Sequence, residues 1–128
     1  MLKRIKNLLE LSAYFNAISI TLLIVYLSLS SLEELNVDIS VSDKLLHTIA
    51  YFVLSMSWLF AVKKSHYSLK LKIIIALAIL LFGIIIEVLQ GSLTDNRHAD
   101  YYDIIANSTG ILIALLIFGF LFRRFKAI

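Results

Sequence analysis

Cysteine and proline are both missing from this 128-residue chain, and glycine occurs only four times. The lack of cysteine excludes disulfides, thiolate zinc sites, iron–sulfur clusters and cysteine nucleophiles. Charged residues are also scarce, at 16%, while 60% of the residues are hydrophobic and the mean hydropathy is +0.90. Such a chain has too few polar residues to cover a water-facing surface, so the composition predicts a membrane protein. Because it has no linker-like segment or fixed-period repeat, we expect a single domain over residues 1–128.

Apolar residues are concentrated in long runs. A helix of about 20 such residues crosses the roughly 30 Å of hydrocarbon in a bilayer, and a helix satisfies its own backbone hydrogen bonds there. We therefore predict an all-α fold, a polytopic four-transmembrane-helix bundle. The predicted spans cover about residues 11–32, 45–62, 71–90 and 104–122.

Basic residues indicate how the bundle is oriented. Of the twelve Lys and Arg residues, all but Lys44 and Arg97 lie near the two termini or between residues 63 and 72. Short segments rich in Lys and Arg stay in the cytoplasm, so both termini are predicted to be cytoplasmic. The net charge of +3 thus reflects topology, with anionic lipid headgroups as neighbours, and nucleic acid is not an expected partner.

Polar residues gather at the outward ends of three predicted helices, with helical spacing. Ionisable groups are costly in a membrane and usually face the bundle interior or a wet cavity. We therefore expect these stripes to turn toward each other and to form an outward-facing pocket, with the two remaining basic residues near its mouth. The predicted pocket residues are Asp43, Lys44, His47, Tyr51, Glu87, Gln90, Arg97, Asp100, Asp103 and Asn107.

Structural roles compete with a pocket for several of these residues. Asp43, Asp100 and Asp103 stand where a carboxylate caps a helix N-terminus. Tyr51 fits a packed ring equally well. His47 and Glu87 both lie within apolar segments, where a mutual hydrogen bond would reduce the cost of burial, and we interpret this pair as part of a functional pocket.

The order and spacing of these residues resemble the VanZ-like family of bacterial membrane proteins. The resemblance covers about residues 43–114, as D-K-x-x-H-x-x-x-Y, G-x-x-x-E-x-x-Q and R-x-x-D-x-x-D-x-x-x-N-x-x-G. It implies a multi-pass protein of the bacterial inner (cytoplasmic) membrane with a role in envelope biology. The family's named member is associated with resistance to the antibiotic teicoplanin, and the resemblance implies no particular reaction.

Three functions remain open from the sequence. The first is binding of an anionic lipid or cell-wall precursor headgroup, with Arg97 as a fork for phosphate. The second is a structural or accessory subunit of an envelope complex, with protein partners or self-association. The third is an enzyme acting on a phosphorylated lipid, with His47 as general base and Mg²⁺ on Asp100 and Asp103. Carboxylates three residues apart at a helix start are commoner as caps, and no activated serine stands out. We therefore expect binding rather than catalysis, with no metal and no cofactor.

Overall fold

The computed structural model describes residues 1–30, 43–66, 68–93 and 100–126, and in these segments the chain is helical. A short 3-10 turn, Lys63–His66, follows the second helix. All four long helices have the length and apolar composition to cross a membrane, which confirms the predicted all-α, four-span fold. They are α1 (Leu2–Leu29), α2 (Asp43–Ala61), α3 (Leu69–Leu93) and α4 (Tyr101–Lys126).

The helices extend beyond the apolar runs that predicted them. The first was predicted from residue 11 but begins at Leu2, and the fourth was predicted over 104–122 but reaches Lys126. Hydropathy marks the segment that lipid favours, whereas a helix continues through flanking polar residues as long as its backbone bonds are made. Residues 31–32 of the first predicted span lie outside the described segments. The second span is the shortest, as expected, and starts at Asp43.

Helices α2 and α4 run parallel and form the most extensive interface in the described bundle. Gly110 on α4 makes this possible, because the backbone of α2 occupies the space that a side chain would take. A Cβ at Gly110 would overlap the Thr48 carbonyl oxygen and would lie 2.9 Å from the Phe52 backbone nitrogen. Small residues at such crossings let helix backbones approach closely in membrane proteins. This contact fixes which faces of α2 and α4 meet.

Helix α1 is joined to the other helices by two described side-chain hydrogen bonds. The Trp58 indole Nε1 donates to Thr21 Oγ1 at 3.0 Å, and Gln90 Nε2 donates to the Ser28 carbonyl oxygen at 2.8 Å. Ile24 of α1 also enters the apolar core. Many other large apolar side chains of the bundle are exposed, as expected for helices whose outer surface contacts lipid.

Candidate functional site

Three helix ends meet at one end of the bundle. The chain passes through the bundle in alternating directions, so the starts of α2 and α4 lie beside the end of α3. The polar residues predicted from the sequence are concentrated at these ends. We use the name polar cluster for Asp43, Lys44, His47, Glu87, Asp100, Asp103 and Asn107.

Lys44 is the positive centre of the polar cluster. Its ammonium donates to Asp100 Oδ2 at 2.6 Å and to Asp103 Oδ1, both on the α4 side, and lies 3.4 Å from Asp43 Oδ2 on its own helix. The side chain remains 44% exposed. Lys44 therefore bridges α2 to the start of α4 while part of its surface stays accessible.

His47 lies one turn further along α2 and faces α4. Its Nδ1 is 3.0 Å from Asn107 Oδ1. An amide oxygen only accepts hydrogen bonds, so Nδ1 carries the proton in this pair. Nε2 on the other side of the ring faces Asp103 Oδ2 at 3.5 Å and Asp43 Oδ1 at 3.8 Å. The imidazole is thus oriented by a buried amide and directs its second nitrogen at two carboxylates.

Glu87 contributes to the cluster from the end of α3. Its side chain is only 2% exposed, and Oε1 accepts the Asp100 backbone N–H at 2.6 Å. Asp100 Oδ1 accepts the Tyr102 N–H at 2.9 Å, so Asp100 caps α4. Lys44 and the Tyr102 N–H together hold the pKa of the Asp100 carboxyl below its ordinary value. Asp100 therefore combines the capping role with an ion pair between helices.

Among the described residues, no hydrogen bond joins His47 to Glu87. His47 meets Asn107 and Asp103 instead, and Glu87 meets the backbone of Asp100. The close contact at Gly110 holds α4 against α2 at the depth of His47, and this brings Asn107 and Asp103 within reach of the imidazole. Burial and the neighbouring Asp103 and Asp100 carboxylates disfavour a charge on Glu87.

Two of the other three predicted pocket residues, Tyr51 and Gln90, have contacts of a different kind. Tyr51 is buried and packs against Gly83, and its hydroxyl has no hydrogen-bond partner in the part of the chain that the structure describes. Gln90 is buried and bonds to Ser28 of α1, which gives it a role in holding that helix. Arg97 lies outside the described residues.

Thr48 belongs to this region but did not stand out in the sequence. Its hydroxyl lies 2.9 Å from the Lys44 carbonyl oxygen and 3.3 Å from the Ala106 carbonyl oxygen of α4. Its position four residues after Lys44 was the only available signal, since a threonine inside a helix commonly bonds to the carbonyl one turn earlier. Thr48 therefore supports the α2–α4 contact beneath the charged groups.

Charge in the polar cluster is unevenly distributed. Four carboxyl groups, those of Asp43, Glu87, Asp100 and Asp103, surround one lysine and one histidine. Such a group attracts cations. Asp43, His47 and Asp103 each offer one ligand atom, and these three atoms lie within 4.8 Å of one another.

Comparison with known proteins places the chain in a family. The sequence model of the VanZ/LLP1 family matches residues 3–123, a stretch that includes most of each helix and the whole polar cluster. No curated protein matches the chain, and no solved structure matches it. The family match agrees with the resemblance found in the sequence motifs. This multi-pass membrane protein belongs to the VanZ/LLP1 family.

Proposed function

We propose that this protein binds the phosphate-bearing headgroup of an anionic lipid or of a lipid-linked cell-wall precursor in the polar cluster. The cluster would face outward from the bacterial inner membrane, as the basic residues near the termini and between 63 and 72 favour. Headgroups lie at the ends of membrane-spanning helices, which is where the cluster is found.

The arrangement of Lys44 is the observation that carries this proposal. An ammonium has three N–H donors, and two of them are directed at Asp100 and Asp103. The third partner, Asp43, is at the longer distance of 3.4 Å. A phosphate oxygen that replaced Asp43 would gain a charge-assisted hydrogen bond without breaking the bridge to α4.

Arg97 is proposed as the second group that contacts the headgroup. It precedes Tyr101, the first residue of α4, by four positions in the sequence. A guanidinium presents paired donors that match the oxygens of a phosphate. With Lys44, it would place two positive charges beside the phosphate oxygens of the headgroup.

The test measures lipid retained by the purified protein. The protein is reconstituted in nanodiscs that contain phosphatidylglycerol, a polyprenyl-diphosphate-linked precursor or phosphatidylcholine, and the bound lipid is counted by native mass spectrometry. Lys44→Gln and Arg97→Ala are each expected to weaken retention of the two anionic lipids by about tenfold or more, the value of one charged hydrogen bond. Lys70→Gln, at the far end of α3, is the matched control: it removes one positive charge outside the polar cluster and should reduce retention far less than Lys44→Gln does.

Two outcomes would contradict the proposal. Equal retention of anionic and zwitterionic lipids by the wild-type protein would show that the cluster does not read a headgroup. Unchanged retention in both Lys44→Gln and Arg97→Ala, with only a loss of thermal stability, would favour the structural role. Release of a cleaved lipid during the measurement would favour an enzyme instead.

A further inference from the structure

We infer that Asp43, His47 and Asp103 form a binding site for a divalent transition-metal ion of the Zn²⁺ class. The inference deepens the proposed function. It rests on that function for one point only, the place where the headgroup would bind. It also differs from the expectation of no metal. That expectation considered Asp100 with Asp103, a pair from one end of α4, whereas the structure groups residues of two helices.

The spacing of the three ligand atoms supports a shared ion. His47 Nε2 lies 3.5 Å from Asp103 Oδ2 and 3.8 Å from Asp43 Oδ1, beyond the usual length of a hydrogen bond. Two ligands bound tetrahedrally at zinc bond lengths of about 2.1 Å are about 3.4 Å apart. All three atoms lie within 4.8 Å of one another. The longest of their separations would therefore have to shorten by roughly 1 Å or a little more for the atoms to bind one ion.

The orientation of His47 matches that of a metal ligand. A ligating histidine almost always donates its other ring N–H to an oxygen acceptor, which fixes the tautomer and the ring plane. Asn107 provides this acceptor for Nδ1 and is itself 2% exposed. The lone pair of a neutral His47 is then on Nε2, the atom that faces the two carboxylates.

Both carboxylates are also oriented from their outer sides. The oxygens of Asp43 and Asp103 that do not face His47 are directed at the Lys44 ammonium. Each carboxylate thus has one oxygen paired with Lys44 and one turned toward His47 Nε2. Lys44 would act as an outer partner that positions Asp103, and that also positions Asp43 until a phosphate oxygen takes its place on the ammonium.

A buried hydroxyl beneath the site points to a missing partner. Tyr51 lies one turn below His47 on α2, is 2% exposed, and has no hydrogen bond from its hydroxyl in the described part of the chain. Its ring lies next to Asn107, since a Cβ on Gly83 would be 3.0 Å from Tyr51 Cε1 and 3.2 Å from Asn107 Nδ2. An unsatisfied buried donor is costly, and Glu87 is the acidic group that acts on this hydroxyl, so a water between Tyr51 and the polar cluster would be a suitable acceptor.

The ligand set selects the class of ion. One imidazole with two carboxylates suits Zn²⁺ and its neighbours better than Mg²⁺ or Ca²⁺, which prefer oxygen ligands alone. Three protein ligands leave a coordination position open. A phosphate oxygen could occupy that position, and the ion would offset the surplus negative charge that a headgroup otherwise meets.

Metal binding is tested with Zn²⁺ alone and no added lipid. The full chain is purified with a histidine-free tag, stripped with chelator, placed in phosphatidylcholine nanodiscs and dialysed against Zn²⁺ for elemental analysis. The wild-type protein should bind one equivalent and should prefer Zn²⁺ to Mg²⁺. Asp103→Asn and His47→Gln are expected to weaken binding by at least about tenfold, the lower end of what even outer partners of a metal cost.

Asp100→Asn is the matched control, since Asp100 also pairs with Lys44 but is not one of the three grouped ligands. It should keep more of the Zn²⁺ affinity than Asp103→Asn does, because all three grouped ligands remain. Circular dichroism shows whether each variant is folded. Asn107→Asp keeps an acceptor for His47 Nδ1 and should therefore retain Zn²⁺ binding.

The inference is overturned if the folded wild-type protein takes up no stoichiometric Zn²⁺, or if Asp100→Asn loses as much affinity as Asp103→Asn. Headgroup binding fails separately. If lipid retention persists in chelator while Zn²⁺ does not bind, the metal site is wrong and the headgroup proposal stands. If Zn²⁺ binds but anionic lipid is not retained, the headgroup proposal is wrong and the metal site stands.

Discussion

The contact between α2 and α4 at Gly110 allows a sharp prediction about stability. In Gly110→Ala the new methyl group would overlap the Thr48 carbonyl oxygen and would lie 2.9 Å from the Phe52 nitrogen. Ordinary contacts of this kind are about 3.5 Å or longer, so the helices must separate by at least about half an ångström. Both obstacles are backbone atoms of a packed helix, which cannot swing aside as a side chain can.

The expected cost follows from two opposing terms. Overpacking of a tight interface typically costs about 1–3 kcal/mol. Alanine gains up to about 1 kcal/mol over glycine from helix propensity, and this gain applies equally to Gly119→Ala on the same helix. A Cβ at Gly119 meets nothing within 4 Å. Gly119→Ala should therefore be neutral or stabilising, and the two variants should differ by about 1–3 kcal/mol.

The assay is denaturant unfolding of each variant in the same detergent, followed by far-ultraviolet circular dichroism and by the fluorescence of Trp58, the only tryptophan. Gly110→Ala should unfold at a lower denaturant concentration than the wild-type protein and Gly119→Ala should not. Equal midpoints for the two variants would refute the reasoning, because they would show that α2 and α4 do not approach as closely as the structure has them.

Three further predictions concern single contacts. The pKa of Asp100 is lowered by its pairing with Lys44. The pairing should therefore stabilise the fold fully above the ordinary aspartate pKa, and this stabilisation should be lost as the pH falls through the lowered pKa. Carboxyl NMR titration should show Asp100 ionised at unusually low pH, and Lys44→Gln should return the pKa of Asp100 toward normal. Thr21→Val removes the acceptor of the Trp58 indole N–H and should cost about 1 kcal/mol with a change in Trp58 emission, whereas unchanged emission would contradict this bond. Glu87→Gln keeps an acceptor for the Asp100 N–H and removes a repelled charge, so its melting temperature should equal or exceed that of the wild-type protein, while Glu87→Ala should lose about 1–3 kcal/mol; a less stable Glu87→Gln would contradict the repulsion.

The helical architecture was accessible from the sequence because lipid imposes a simple rule on it. Runs of about 20 apolar residues must be helices in a bilayer, and the chain has four of them. The ends were less accessible, since the start of α1 at Leu2 depends on backbone hydrogen bonding through polar residues that hydropathy scores against a span.

The polar cluster could be anticipated in outline and not in detail. Spacing placed Asp43 and His47 on one face of α2 and Asp103 and Asn107 on one face of α4, and the structure brings these faces together. The partner of His47 could not be read from spacing, because it depends on the rotation of α4 that the Gly110 contact sets. Periodicity within one helix says nothing about rotation between helices.

Lys44 shows a second limit of spacing. The sequence placed it near the mouth of a pocket as a group for anions, but its ammonium is directed at Asp100 and Asp103. Only the three-dimensional arrangement shows that carboxylates outnumber the basic groups around it. The same arrangement is what makes a bound cation a reasonable partner of the cluster.

The proposed headgroup function places the polar cluster on the outward side of the membrane, and the two ends of α3 offer a direct measurement of that orientation. Leu69 and Leu93 are its first and last residues, are 71% and 67% exposed, and lie about 36 Å apart at the helical rise. Because the chain has no cysteine, Leu69→Cys and Leu93→Cys each provide a single thiol for a membrane-impermeant maleimide. We predict labelling of Leu93→Cys in intact cells or spheroplasts and of Leu69→Cys only after lysis. The opposite pattern would place the cluster in the cytoplasm and would contradict the account.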